Sequence, residues 1–126
     1  MRRLLDTHTF LWWLTDDRKL GRKARAAITD IGSVVHVSAA SCWEMAIKAT
    51  LGRIDLGGAD LATEIPANGF VELPVTARHA LRAGDMPRHH ADPFDRMLVA
   101  QALVEELVLV THDQVLGRYG LSLLAT

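Results

Sequence analysis

Leu107-Val108-Leu109-Val110-Thr111-His112-Asp113 is an apolar run that ends on a hydroxyl, an imidazole and a carboxylate. A short apolar run with polar residues at its end reads as a buried strand, here Val108 to Thr111. The polar end marks where the chain leaves the sheet. The pattern recurs upstream. Arg2 to Leu5 forms a first strand that stops at Asp6, and Val34 to Val37 forms another that leads through Ser38 to a helix carrying Glu44. Strands alternating with helices require crossover connections, so the fold class is α/β, with a mainly parallel central sheet and helices on both sides.

The remaining elements follow from punctuation and spacing. A helix through Phe10, Leu11, Trp12, Trp13 and Leu14 ends near Asp16 and Asp17, and a second runs from about Gly21 to Asp30 before Gly32. Ser38 or Ser41 starts the helix through Trp43, Met45 and Ile47, which Gly52 stops. A Gly-Gly turn follows Ile54 to Leu56, then a short helix over about Asp60 to Ile65. Phe70 to Leu73 reads as a strand, and Thr76 caps a helix to about Ala83. Gly84 to Ala91 reads as a loop. Asp92 and Pro93 open a long helix to about Leu107, with Pro93 suited to the first helical position. A short helix from Gln114 to Tyr119 and a strand from Leu121 to Leu124 complete the chain.

With 126 residues, nearly half of them apolar, the chain fits one domain with a sizeable core. Fourteen Lys and Arg against fifteen Asp and Glu leave a net charge of −1, so any nucleic-acid contact rests on local patches. The single cysteine, Cys42, excludes an internal disulfide and a cysteine-rich zinc site, and reads as a small buried residue of a reducing compartment. Asp6 and His8 interrupt the apolar start, which argues against a signal peptide. No run is long enough to span a membrane. A soluble, cytoplasmic protein is expected.

Asp6, Glu44, Asp95 and Asp113 are the informative residues, because ligands of open parallel sheets bind beyond the carboxyl ends of the strands. Four carboxylates converging there repel one another, and a divalent cation relieves the repulsion. An all-oxygen donor set suits Mg2+, with Mn2+ as the alternative. Each acid also has a plainer reading. Ser41-Cys42-Trp43-Glu44 fits a capping box, and Lys48 is spaced for an ion pair with Glu44. Asp92 and Asp95 suit a helix start, and Asp113 suits a cap. Asp6, directly after a strand, makes an expensive cap.

Other polar residues carry weaker signals. His8 is placed either to touch substrate or to bond locally. His89 and His90 lack the spacing of a metal motif and read as loop residues. Arg18, Lys19, Arg22, Lys23 and Arg25 read as a solvated helix face with an alternative role toward RNA phosphates. Trp12, Trp13 and Trp43 read as core or interface residues. Phosphate-loop, nucleophile-elbow and dinucleotide motifs are missing.

Together these segments resemble the PIN-domain nucleases and, more closely, the VapC-type toxins of bacterial toxin–antitoxin pairs. The resemblance covers residues 1–126 as a single domain. It is carried by Leu4-Leu5-Asp6-Thr7-His8, by Val37-Ser38 with Trp43 to Lys48, by His90-Ala91-Asp92-Pro93-Phe94-Asp95-Arg96 and on to Ala102, and by Leu109 to Asp113. It implies a PIN-like three-layer α/β/α fold and a Mg2+- or Mn2+-dependent endoribonuclease site. Asp6, Asp95 and Asp113 would be metal ligands and Glu44 would act on the attacking water, with Thr111, Asp92 and His8 in support. His8 departs from the small polar or amide residue of many members. The resemblance further implies an RNA substrate, a cognate antitoxin partner, a homodimer and toxin–antitoxin hetero-oligomers. The competing expectation is a catalytically silent PIN-fold module that docks a basic partner peptide. An aspartyl-phosphate site at Asp6 is disfavoured, because His8 stands where a second aspartate is required.

Overall fold

The computed structural model describes residues 1–126. Its sheet has five strands, β1 (Arg2–Leu5), β2 (Val34–Ser38), β3 (Val71–Leu73), β4 (Val108–Thr111) and β5 (Leu123–Ala125), all parallel and ordered β3-β2-β1-β4-β5. They are connected by the helices α1 (Thr7–Leu14), α2 (Arg22–Thr29), α3 (Ala39–Thr50), α4 (Leu61–Ala67), α5 (Ala77–Asp85) and α6 (Pro93–Glu105), and by a 3-10 helix, Gln114–Tyr119. No helix is long and apolar enough to cross a membrane.

Successive strand residues point to opposite faces of a sheet, and β1 shows what that does to the core. Leu5 faces Phe10, Met45, Leu61 and Ile65 of α1, α3 and α4, whereas Leu4 faces Ala83, Leu98, Val99 and Ala102 of α5 and α6. Two apolar layers thus sandwich the sheet, giving the three-layer α/β/α arrangement expected from the sequence. From β1 the chain winds outward to β2 and β3, then returns to place β4 and β5 on the other side. Winding direction therefore reverses between β1 and β4, which opens a crevice at their carboxyl ends.

The helix starts explain why polar residues gather at that edge. Asp6, the residue after β1, caps α1 by accepting from Thr9 N at 2.8 Å. Ser38 caps α3 by accepting from Ala40 N at 3.0 Å. Asp92 caps α6 through Phe94 N at 2.8 Å and Asp95 N at 3.3 Å, with Pro93 in the first turn.

Several expectations are revised. The capping box at Ser41 does not form, because the helix begins three residues earlier at Ser38, which leaves Glu44 free for other partners. Cys42 is half-buried rather than buried. Trp43 is 65% exposed and takes no part in the core, while Trp12 and Trp13 pack against it. α5 runs on to Asp85, into the expected loop. β5 starts at Leu123, since Gly120 with φ of 78° ends the preceding helix and only Leu123 registers with Leu109. Within the basic block Arg25 is an anchor, reaching Asp16 at 2.7 Å and the carbonyl oxygens of Asp17 and Leu20.

Candidate metal centre

Asp6 and Thr111 stand at the ends of the two central strands, and their hydroxyl–carboxylate bond ties the crevice together. Thr111 Oγ1 donates to Asp6 Oδ2 at 2.6 Å and accepts from Asp113 N at 3.0 Å. The other Asp6 oxygen takes both Thr9 N and Thr9 Oγ1. At 3% exposure Asp6 is the deepest of the acids, and its direction is fixed by three donors.

Glu44 approaches from α3. It is 6% exposed, with Oε1 accepting from Thr7 Oγ1 at 2.7 Å and Oε2 paired with Lys48 Nζ at 3.0 Å. The predicted i,i+4 pair with Lys48 is thus formed. The ammonium balances a buried charge that would otherwise carry a penalty of several kcal/mol or more.

Asp95 and Asp113 lie nearer solvent and meet at His90. His90 Nε2 is 2.9 Å from Asp113 Oδ2 and 3.5 Å from Asp95 Oδ2, and one donor atom from each of the three side chains lies within 4.8 Å of the others. Asp113 Oδ1 meanwhile caps the 3-10 helix through Val115 N at 3.0 Å. On its far side His90 Nδ1 lies 3.1 Å from Asp92 N. A backbone N–H only donates, so Nδ1 must accept and the neutral ring carries its proton on Nε2. His90 therefore points an N–H at two carboxylates. Sequence reasoning missed this residue. The signal was its place at the head of the His90 to Ala102 segment, two positions before the cap Asp92.

Charges left over from this balance bear on Asp95. Burial, then the neighbouring Asp92 carboxylate, push its pKa up to about 7, with further lifts from Asp6 and Glu44 that His90 partly offsets. An acid raised first by burial and then by neighbouring carboxylates is one whose charged form a cation would stabilise. With His90 Nε2 carrying the proton, the free donors of the His90, Asp95 and Asp113 group are the carboxylate oxygens of Asp95 and Asp113, which suit Mg2+ or Mn2+ better than a soft ion. Asp6 stands outside that group of three and is linked to it through Thr111, which bonds both its carboxylate and Asp113 N. Asp92 serves as the cap and adds charge, its one hydrogen-bonded oxygen turned to the backbone.

His8 sits beside the crevice on α1. Its ring centroid is 5.9 Å from that of Trp12 and 5.3 Å from that of His112. Burial, aided by the Lys48 ammonium, lowers its pKa, so at neutral pH the ring is uncharged.

The sequence profile of the family described as PIN domain matches residues 3–121. No curated protein matches by sequence. In shape the chain is similar to VapBC2 from Rickettsia felis, solved with a DNA fragment from its promoter, at a TM-score of 0.73 and 13% identity over 99% of this chain and 98% of that one. It is similar to DNA-bound VapBC from Salmonella typhimurium, at a TM-score of 0.70 and 18% identity with the same coverage of 99% and 98%. A toxin–antitoxin complex from Klebsiella pneumoniae gives a TM-score of 0.60 and 18% identity over 88% of this chain and 86% of that one.

Proposed function

Because the chain belongs to the PIN-domain family, we propose that it is a Mg2+- or Mn2+-dependent endoribonuclease and the toxin of a toxin–antitoxin pair, acting in the cytoplasm. The supporting observation is that Asp95 and Asp113 share His90 where winding reverses, with Asp95 raised to about 7 by burial, by Asp92 and by the nearby Asp6 and Glu44. A cap needs one acid, and packing needs none.

Asp6, Asp95 and Asp113 would hold the ion. When bound, it would supply a lowered water pKa and a charge contact for the scissile phosphate. Glu44, fixed by Thr7 and Lys48, orients the attacking water and takes its proton. Thr111 keeps Asp6 aimed, and its bond to Asp113 N couples the two acids. Attack by water on the phosphodiester leaves a 5′-phosphate and a 3′-hydroxyl.

Partners follow from the same reading. The neighbours in shape include a toxin–antitoxin complex, and a cognate antitoxin would present a basic side chain to the acids, compensating their charge in the cation's stead. Trp43, Ile47 and Leu51 leave an exposed apolar stripe on α3 at helical spacing, which supports a protein interface such as a homodimer.

The test is cleavage of mixed cellular RNA by purified protein, with Mg2+ or Mn2+ against chelator, beside Asp6→Asn. Metal-dependent cleavage that leaves 5′-phosphates and vanishes in Asp6→Asn is expected. Equal cleavage by the variant, or cyclic phosphate ends, would remove this mechanism. Silence of the folded wild-type chain with either ion would favour the peptide-docking module.

A further inference from the structure

Four carboxylates at one crevice repel the polyanion that this site is proposed to cut. A nuclease built this way needs an adjoining surface that holds the strand against that repulsion. One such surface is a cleft of about 400 Å³ beside the acids, between α1 and α3. Its lining includes Thr7 and Lys48, which are also the two partners of Glu44. Trp12 and His8 line it as well. His112 packs against Trp12 in a tilted pair, 5.3 Å between centroids, and brings Nδ1 to 4.0 Å from Asp6 Oδ2, so the aromatic group reaches the acids directly. Lys19 also lines the cleft and sits with Nζ 5.9 Å from the Trp12 ring centroid. Beyond it Arg18, Arg22 and Lys23 are exposed.

We propose that this cleft is a nucleotide subsite, in which the base next to the scissile phosphate stacks on Trp12 while Lys19 meets the following phosphate. The inference rests on the ribonuclease reading. Stacking on an indole attracts any base, because every base has a π face, and it attracts no phosphate. The lysines supply the opposite preference. Asp17 and Asp55, also in the lining, keep phosphate out of the cleft and turn the backbone toward Lys19 and the basic segment. A strand seated this way runs from the acids across Trp12 and onward over the start of α2. An apolar side chain of a protein partner would fill the same volume, but it would have no use for lysine at both Glu44 and Trp12.

The test measures binding of two labelled single-stranded 12-mers of RNA, one of mixed sequence and one with abasic sugars, to uncleaving Asp6→Asn protein. Trp12→Leu and Lys19→Ala are added to that background. Trp12→Leu should weaken the base-bearing strand by about 10-fold and leave the abasic strand unchanged. Lys19→Ala should weaken both strands and reduce the salt dependence by about one counterion. Lys19 is exposed, so this second variant stands even if Trp12→Leu fails to fold. Unchanged binding of both strands by the two variants, with RNA cleavage by wild type intact, overturns the subsite while leaving the nuclease reading. Wild-type protein that neither binds nor cleaves RNA overturns both.

Discussion

Asp95 carries the net imbalance of the acid cluster. Its folded pKa, pushed up to about 7 from 3.8, means that the folded chain holds this proton more tightly than the unfolded chain. Stability from the proton is complete below about pH 4 and is lost as pH rises to about 7 in metal-free protein. With the side chain 24% exposed, solvent reduces the loss to on the order of 2 kcal/mol. Thermal unfolding in chelator should therefore show Asp95→Asn more stable than wild type at pH 8 and no more stable at pH 4. A difference independent of pH would refute the assignment. His90 offers a second check: nitrogen NMR of its ring should show Nε2 protonated and Nδ1 bare, whereas the reverse tautomer would free Nε2 to be a metal ligand. Asp6 and Asp113 were legible as candidates because each follows an apolar run. The bond of Glu44 to Thr7 and the role of His90 were not, since both depend on residues brought together from distant parts of the chain.

The 86–92 segment that carries His90 is held by one side chain of α6. Arg96 Nη2 donates to the carbonyl oxygens of Ala83 at 2.8 Å and Met86 at 3.1 Å, and Nη1 donates to that of Pro87 at 3.0 Å. These are carbonyls at and after the end of α5, which lack helical partners. Truncation by Arg96→Ala should cost about 2 kcal/mol and speed amide exchange selectively over residues 86–91. Arg96→Lys should not restore protection, because one ammonium lacks the planar fork that spans three carbonyls. Uniform exchange across the chain would show that Arg96 supports the fold and not this segment. Elements themselves were legible from turn residues and apolar runs, with errors confined to ends. Ser38 and Ser41 both suit a helix start, and the choice fell to where β2 leaves the sheet. Gly120 shifted β5 by two residues for a similar reason: its turn had to close before Leu123 could meet Leu109.

At the scale of the molecule, β1 is the common wall of both apolar layers, with Leu4 and Leu5 each fully buried on opposite faces. Leu4→Ala and Leu5→Ala should each cost about 3 kcal/mol in denaturant unfolding, although they open cavities in different layers. A large cost for only one would mean that the layers are unequally packed. A parallel sheet between helical layers was legible in the sequence. The strand order was not, because local patterns carry no information on which strands become neighbours. That order has a consequence for how the protein is made. The chain must return to lay β4 against β1, so Asp6 meets Thr111, 105 positions further on, only after everything between them has been made. A chain still emerging from the ribosome holds one wall of the acid pocket without the other. The pocket is therefore absent from any nascent chain that has not yet delivered β4 to the sheet.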